Sequence, residues 1–203
     1  MIERFDMPEL KDSFIGAWVM PEPIIDSIWD YWQSEKDKRF KGEVASGKPE
    51  LKKSTDLEIS AYDETPIWLN YRKQLQLCLD DYFVQHESAN DVAKFNIYRD
   101  YLIQFYKKGE GFFPWHSENP GTIKTCDRSL VFMTYCNNVP NGGTHFKNQK
   151  LTTPAIKGLT LIWPPWWTHA HKGQISEEHE KMIVTGWYSY ENIFRNILKN
   201  DYI

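Results

Sequence analysis

The chain has 203 residues, 26% of them charged and 41% hydrophobic, which is enough for one domain with a self-sufficient core. A formal charge of −4 and a pI near 5.9 argue against nucleic acid or an anionic membrane surface as the main partner. Three cysteines (Cys78, Cys126, Cys136), odd in number and without CxxC spacing, fit a reducing compartment and exclude a disulfide framework or a zinc cluster. The start, Met-Ile-Glu-Arg-Phe-Asp, lacks the pattern of a signal peptide. The uncharged run Ser129 to Phe146 carries three Asn, two Gly and a Pro, which excludes a membrane span there. The expectation is a soluble, cytoplasmic protein with a single domain over 1–203.

Residues 1–20 read as an irregular or short β entry ending in Ile15-Gly-Ala-Trp-Val-Met20. From Pro21 the apolar positions Ile24, Ile25, Ile28, Trp29 and Trp32 recur at helical spacing, with proline tolerated in the first turn. Residues 34–55 are charged and broken by Gly47 and Pro49, as in a solvated loop or a mobile flap beside a site. Thr65-Pro66 predicts an N-cap and first turn. A long helix follows, with Ile67, Trp68, Tyr71, Leu75, Cys78, Leu79, Tyr82 and Phe83 on one face and His86 at its exposed C-terminus.

After Lys94 the period changes to two. Strands are predicted at Phe95–Tyr98, Tyr101–Tyr106, Arg128–Tyr135, Leu159–Trp163 and Lys181–Tyr190. Asn119-Pro-Gly and Pro140-Asn-Gly-Gly read as turns between them, and Ile193, Phe194, Ile197 and Leu198 as a short closing helix. Helices first and many short strands after imply an α+β, mainly β chain. Its 1–94 part would be helical support and flap, and 95–190 a jelly-roll core.

Chemistry collects in the β part. In an extended strand His116 and Glu118 project the same way and can grip one ion. An imidazole with a carboxylate suits Fe(II), Mn(II) or Zn(II); alone, the pair equally describes a half-exposed strand end. A third ligand is available downstream, in Trp166-Trp-Thr-His169-Ala-His171-Lys-Gly173. Two His and one carboxylate on one face of a metal leave three positions open, as in non-haem Fe(II) oxygenases. Strand parity does not choose between His169 and His171.

Lys181 shares a strand face with Ile183, Thr185 and Trp187, so that face either meets water or holds an anion for the lysine. Tyr135 shares a face with Val131 and Met133, where a buried phenol needs a partner. His145 and His179 read as surface residues, and Trp163-Pro-Pro-Trp-Trp as a rigid apolar turn rather than a stacking platform for carbohydrate or peptide.

The order Tyr106, His116-x-Glu118, Arg128, Tyr135, Gly142-Gly-Thr-His-Phe146, Gly158, Trp163-Pro, His171-x-Gly173, Lys181, Thr185-Gly-Trp187 resembles the Fe(II)- and 2-oxoglutarate-dependent dioxygenases. Within them it is most similar to the prolyl 4-hydroxylase-type branch of phages and bacteria. The resemblance covers roughly 95–190. It implies a double-stranded β-helix, and hydroxylation of an unactivated C–H bond with O2, 2-oxoglutarate leaving as succinate and CO2, with ascorbate as a candidate reductant. The iron ligands it implies are His116, Glu118 and His171, the last because it precedes Lys181 by ten residues. Lys181 would pair with the distal carboxylate of 2-oxoglutarate, assisted by Tyr135 and Thr185, with Thr144 a weaker candidate. Tyr106 and Trp187 would stand near metal and substrate, and His169 near the pocket rim as a substrate contact. The branch usually carries Asp where this chain has Glu118, a carboxylate on a longer arm. The implied substrate is a prolyl residue in a peptide or protein, or else a small molecule. The rival from another class is a non-catalytic jelly-roll module binding peptide or carbohydrate.

Overall fold

The computed structural model describes residues 2–43 and 48–191, so Gly47 and the closing helix expected at 193–198 lie outside the described residues. Two helices form where the apolar periodicity is 3.6: α1 (Glu22–Ser34), burying Ile25, Ile28 and Trp32, and α2 (Pro66–Gln85), burying Trp68, Tyr71, Leu75, Cys78, Leu79 and Tyr82. Thr65 stands at the N-cap of α2, but its hydroxyl makes no capping bond. Its carbonyl instead accepts from the backbone N–H groups of Trp68 and Leu69.

The strands are β1 (Glu3–Arg4), β2 (Gly16–Val19), β3 (Phe40–Lys41), β4 (Thr55–Ile59), β5 (Phe95–Asn96), β6 (Tyr101–Tyr106), β7 (Arg128–Tyr135), β8 (Val139–Phe146), β9 (Leu151–Ala155), β10 (Leu159–Trp163), β11 (His171–Gly173) and β12 (Lys181–Tyr190). They make two antiparallel sheets. The larger has the order β1-β2-β10-β7-β12-β6-β4-β3, with β5 beside β12; the smaller is β11-β8-β9. The segment before residue 95 therefore supplies strands as well as helices.

Alternation along the larger sheet divides the interior in two. Leu57, Ile103, Phe132, Met182 and Val184 face the helices and pack with Trp18, Trp68, Tyr71 and Tyr82. Val131, Met133, Tyr135, Leu161, Trp163 and Ile183 face the other way and pack with Val139, Phe146, Leu151 and Ala155 of the smaller sheet. Neighbouring side chains on one strand serve different cores, so a one-residue slip of β12 would exchange the two sets. The three cysteines are free thiols, and Cys78 and Cys136 are buried. Among the described residues no helix is long and apolar enough to cross a membrane.

Two sequence readings change. Pro140-Asn-Gly-Gly is not a turn between strands but an irregular stretch inside β8, where the register against β9 shifts between Val139 and Thr144. Asn141 has φ +54°, in the left-handed region asparagine tolerates. Gly143 is required by close approach, since a Cβ there would lie 1.7 Å from the Thr153 carbonyl oxygen. The described parts of the 34–55 segment, 34–43 and 48–55, are also more regular than a loop: β3 pairs with β4, and Lys52 bridges to Phe112.

Gly143→Ala is expected to destabilise the fold by more than about 3 kcal/mol, the upper end of ordinary single substitutions, because backbone must move to relieve the clash. Denaturant unfolding of variant and wild type measures it.

Candidate active site

Most of the side chains singled out in the β part converge on one cavity of about 330 Å3, within the usual range for small-molecule sites. Its wall includes His116, Glu118, Arg128, Tyr135, His171, Lys181, Thr185 and Trp187. The geometry begins with backbone pairing: His116 and His171 exchange N–H···O bonds of 3.0 and 2.9 Å, so two segments far apart in sequence are held side by side. Both Nδ1 atoms are engaged, His116 with the Pro114 carbonyl at 3.1 Å and His171 with the His169 carbonyl at 2.9 Å. Carbonyls only accept, so each Nδ1 carries the proton and each Nε2 keeps its lone pair for a ligand. Phe112 stacks on His116 at 3.9 Å and Trp163 meets His171 edge-on at 5.1 Å, fixing both ring planes.

Glu118 completes the group. Its Oε1 lies 3.4 Å from His116 Nε2 and 3.5 Å from His171 Nε2, and the three ligand atoms fall within 4.8 Å of one another. Its Oε2 is held elsewhere, accepting from Trp187 Nε1 at 3.0 Å and Arg128 Nη1 at 3.2 Å. Arg128 also donates to the Glu118 carbonyl at 2.5 Å and stacks over the Trp187 ring at 3.6 Å. The longer arm of Glu relative to Asp is thus pinned at its outer oxygen, and one oxygen faces the imidazoles. Burial opposes ionisation of this carboxyl, but in the metal-free site hydrogen bonds and positive charge from the His116 and His171 rings prevail and hold it well below the usual carboxylate range; a divalent cation would take the place of those protons. Two neutral imidazoles and one carboxylate, with their outer atoms already tied, fit a borderline divalent cation such as Fe(II).

Lys181 is 6% exposed, and burial lowers its pKa to about 8. It donates to the Gly142 carbonyl at 2.9 Å and the Gln174 carbonyl at 2.7 Å, both neutral acceptors. The irregular stretch of β8 thereby supplies one of the two oxygens that orient the ammonium. Tyr135 shares a 2.6 Å hydrogen bond with Thr144, and burial pushes its phenol up to about 12. Tyr106 donates to Gln104 Oε1 at 2.6 Å and lies beneath Lys181, whose Nζ is 5.5 Å from the ring centre. Thr185 donates to the Phe132 carbonyl at 3.2 Å.

His169 does not line the cavity. It sits in a 3-10 turn (Trp167–His169), where strand parity does not apply, and its Nε2 meets the Ser13 carbonyl at 2.9 Å. The substrate contact expected of it is replaced by a buried strut between that turn and the N-terminal segment. His145, bonded to Thr152, also lies outside the cavity, and His179 sits half-exposed in a loop. The Trp cluster divides: Trp163 is buried against His171, whereas Trp166 and Trp167 are exposed.

Gln104, Phe112, Thr125 and Lys52 also line the cavity and were not singled out from sequence. Gln104 was legible in the alternation Leu102, Gln104, Tyr106; Lys52 had no local signal.

No family model and no curated relative matches the sequence. Solved structures do match in fold. One is a Pseudomonas putida prolyl-4-hydroxylase, 10% identical with a TM-score of 0.66, covering 90% of this chain and 96% of that one. A second is the viral collagen prolyl hydroxylase of Paramecium Bursaria Chlorella virus-1 in its 2OG complex, at 14% identity and TM-score 0.66, covering 88% and 97%. A third is a Trichoplax adhaerens prolyl hydroxylase in complex with a hypoxia inducible factor peptide fragment, at 15% and 0.65, covering 89% and 86%.

Two outcomes test the site. Trp187→Phe keeps an aromatic ring but deletes the N–H that holds Glu118 Oε2, and should weaken Mn(II) binding about 10–100-fold in an EPR titration. Iron content after reconstitution should fall to background in His171→Ala. In His169→Ala it should persist, with a loss of about 1–3 kcal/mol in stability from the orphaned Ser13 carbonyl. These residues are built on the fold shared by the prolyl 4-hydroxylases, and the chain has that fold.

Proposed function

We propose that the chain is an Fe(II)- and 2-oxoglutarate-dependent dioxygenase whose two sheets form a double-stranded β-helix. The preferred substrate is a prolyl residue in a peptide or protein, and a small molecule is the alternative. The observation that carries the reading is the pairing, in one cavity, of a convergent His116/Glu118/His171 set with a buried lysine that has only neutral partners among the described residues. Iron held by His116, Glu118 and His171 would, together with a bound keto-acid, supply the oxidising power that side chains lack, with O2 consumed and succinate and CO2 released.

The residues have separable tasks. His116, Glu118 and His171 hold the metal through three ligand atoms and leave the remaining positions to small ligands. Two of the three ammonium donors of Lys181 are used on carbonyls, and the remaining one serves the distal carboxylate of the keto-acid. Tyr135, Thr144 and Thr185 offer hydroxyls on the same wall, and Tyr106 closes it beneath the ammonium. The neighbours named as prolyl hydroxylases, one of them holding a peptide fragment, support the prolyl choice. The single domain over 1–203 and a cytoplasmic setting belong to the same proposal.

A rival binding module for peptide or carbohydrate has no use for a buried, uncompensated cation beside a metal set. Anaerobic mixing of the chain with Fe(II) and 2-oxoglutarate should give a visible charge-transfer band, and a colourless mixture without iron uptake would favour the rival. Lys181→Met should abolish 2-oxoglutarate binding in calorimetry and leave metal binding in place.

The pH dependence has a definite sign. Burial sets the free Lys181 ammonium near pKa 8, against 10.5 unperturbed. Above pH 8 the free clamp loses its proton, and 2-oxoglutarate affinity should fall by up to about tenfold per pH unit. Stability of the cosubstrate-free chain should move the other way, rising between about pH 8 and 10.5, because there the unfolded state binds the extra proton.

A further inference from the structure

A second lysine stands on the cavity wall with donors to spare. Lys52 is 4% exposed and lines the cavity, yet its ammonium has one hydrogen-bond acceptor among the described residues, Asp56 Oδ2 at 2.6 Å. An ammonium has three donors, so among the described residues two have no acceptor. Asp56, 1% exposed, is itself used on both oxygens, because Ser54 Oγ donates to Oδ1 at 2.7 Å. Gly42 presses on this group so closely that a Cβ there would meet Ser54 Oγ at 2.0 Å, which shields the pair on that side.

The position of Lys52 is tied to the metal set. Its residue bridges Phe112, Lys53 N–H donates to the Gly111 carbonyl at 2.9 Å, and Phe113 N–H donates to the Leu51 carbonyl at 3.0 Å. Phe112 in turn is stacked on His116. Asp56 is in register with Gln104, another wall residue. A buried ion pair contributes little to stability by itself, so the fold has no evident need for one at this sheet edge.

The two cavity lysines differ in charge balance. Lys181 leans on two neutral carbonyls and keeps a full positive charge, which suits a carboxylate. Lys52 is neutralised by Asp56, and a further carboxylate there would leave a buried negative charge uncompensated. A neutral acceptor completes its donors without adding charge. We infer that Lys52 reads a carbonyl oxygen of the substrate, so that the cavity takes an amide-bonded residue in preference to a free amino acid. The inference rests on the oxygenase reading of this cavity and narrows its substrate class.

The test uses the full chain loaded with Zn(II) and 2-oxoglutarate, and also without them. It is titrated with the N-acetyl amides of L-proline, L-alanine and L-leucine and with the corresponding free amino acids. In 15N-lysine NMR the Lys52 ammonium resonance, assigned by its loss in Lys52→Met, should shift with at least one amide and with none of the free amino acids. Calorimetry should give about tenfold or more weaker amide binding in Lys52→Met, the usual scale for losing a hydrogen bond to a charged group, with 2-oxoglutarate affinity unchanged within about twofold. If Lys52→Met fails to fold because Asp56 is orphaned, the net-neutral Lys52→Met/Asp56→Asn double variant carries the same comparison. Absence of amide binding by wild type, equal binding of free amino acids, or unchanged amide affinity in the variants overturns the inference. A shift with alanine or leucine amide but not proline amide keeps it and removes the prolyl substrate. Loss of the iron charge-transfer band in wild type removes the oxygenase reading independently of the amide result.

Discussion

Everything in the cavity depends on the two backbone hydrogen bonds between His116 and His171. They join a loop that follows β6 to an edge strand of the smaller sheet, and in doing so bring the loop's imidazole and the strand's imidazole into ligand distance. Peptide groups are rigid and directional, so this pairing defines ring position before any metal is present. The Nδ1 contacts to Pro114 and His169 carbonyls then define which nitrogen can coordinate. Glu118 follows two residues later, at a bend. Its outer oxygen is tied by Trp187 and Arg128, which come from two neighbouring strands of the larger sheet, β12 and β7. The set is thus oriented in advance by main chain and by side chains from three other places.

Charge in this cavity is distributed with economy. Glu118 is ionised against the cost of burial through its contacts with His116 and His171, and Arg128 lies against its other oxygen. Lys181 has carbonyls rather than carboxylates around it, so its charge is available to a ligand, and burial depresses its pKa. Lys52, two strands away across β6, is neutralised within the wall. Three cations of similar formal charge are thereby given three different tasks by their immediate partners, which no count of charged residues would separate.

The tight places in the backbone serve this arrangement. Gly143 lets β8 approach β9 where a side chain would collide with a carbonyl, and the same irregular stretch presents the Gly142 oxygen to Lys181. The N-terminal part serves it too. β4 extends the larger sheet next to β6, and the segment just before it binds the chain leading to His116. The half that carries the His116/Glu118/His171 set and the supporting half are therefore interleaved at the cavity, although the chain reads as helices first and strands after.

What the sequence determined by itself is what depends on local period and short spacing. The two helices follow from apolar positions 3 and 4 apart, and the faces of β6, β7 and β12 follow from strict alternation. Alternation alone puts Lys181, Ile183, Thr185 and Trp187 on one side, and His116 with Glu118 on one side. The ordered motif from His116 to Trp187 carried the resemblance that tied these pieces to one chemistry. What only the tertiary structure decided is whatever depends on which distant segments meet. His169 and His171 are two apart and equivalent by parity; a 3-10 turn breaks that parity and sends one to Ser13 and the other to the cavity. Pro140-Asn-Gly-Gly has the composition of a turn and is held inside a strand by the pairing of the residues that flank it. Lys52 lies in a charged stretch indistinguishable from solvent-facing loop, and only contact with Asp56 and Phe112 makes it a buried wall residue. Local sequence carries periodicity, because a side chain's direction is set by its own backbone; burial and partnership are set by long-range pairing, and those the chain acquires only when it folds.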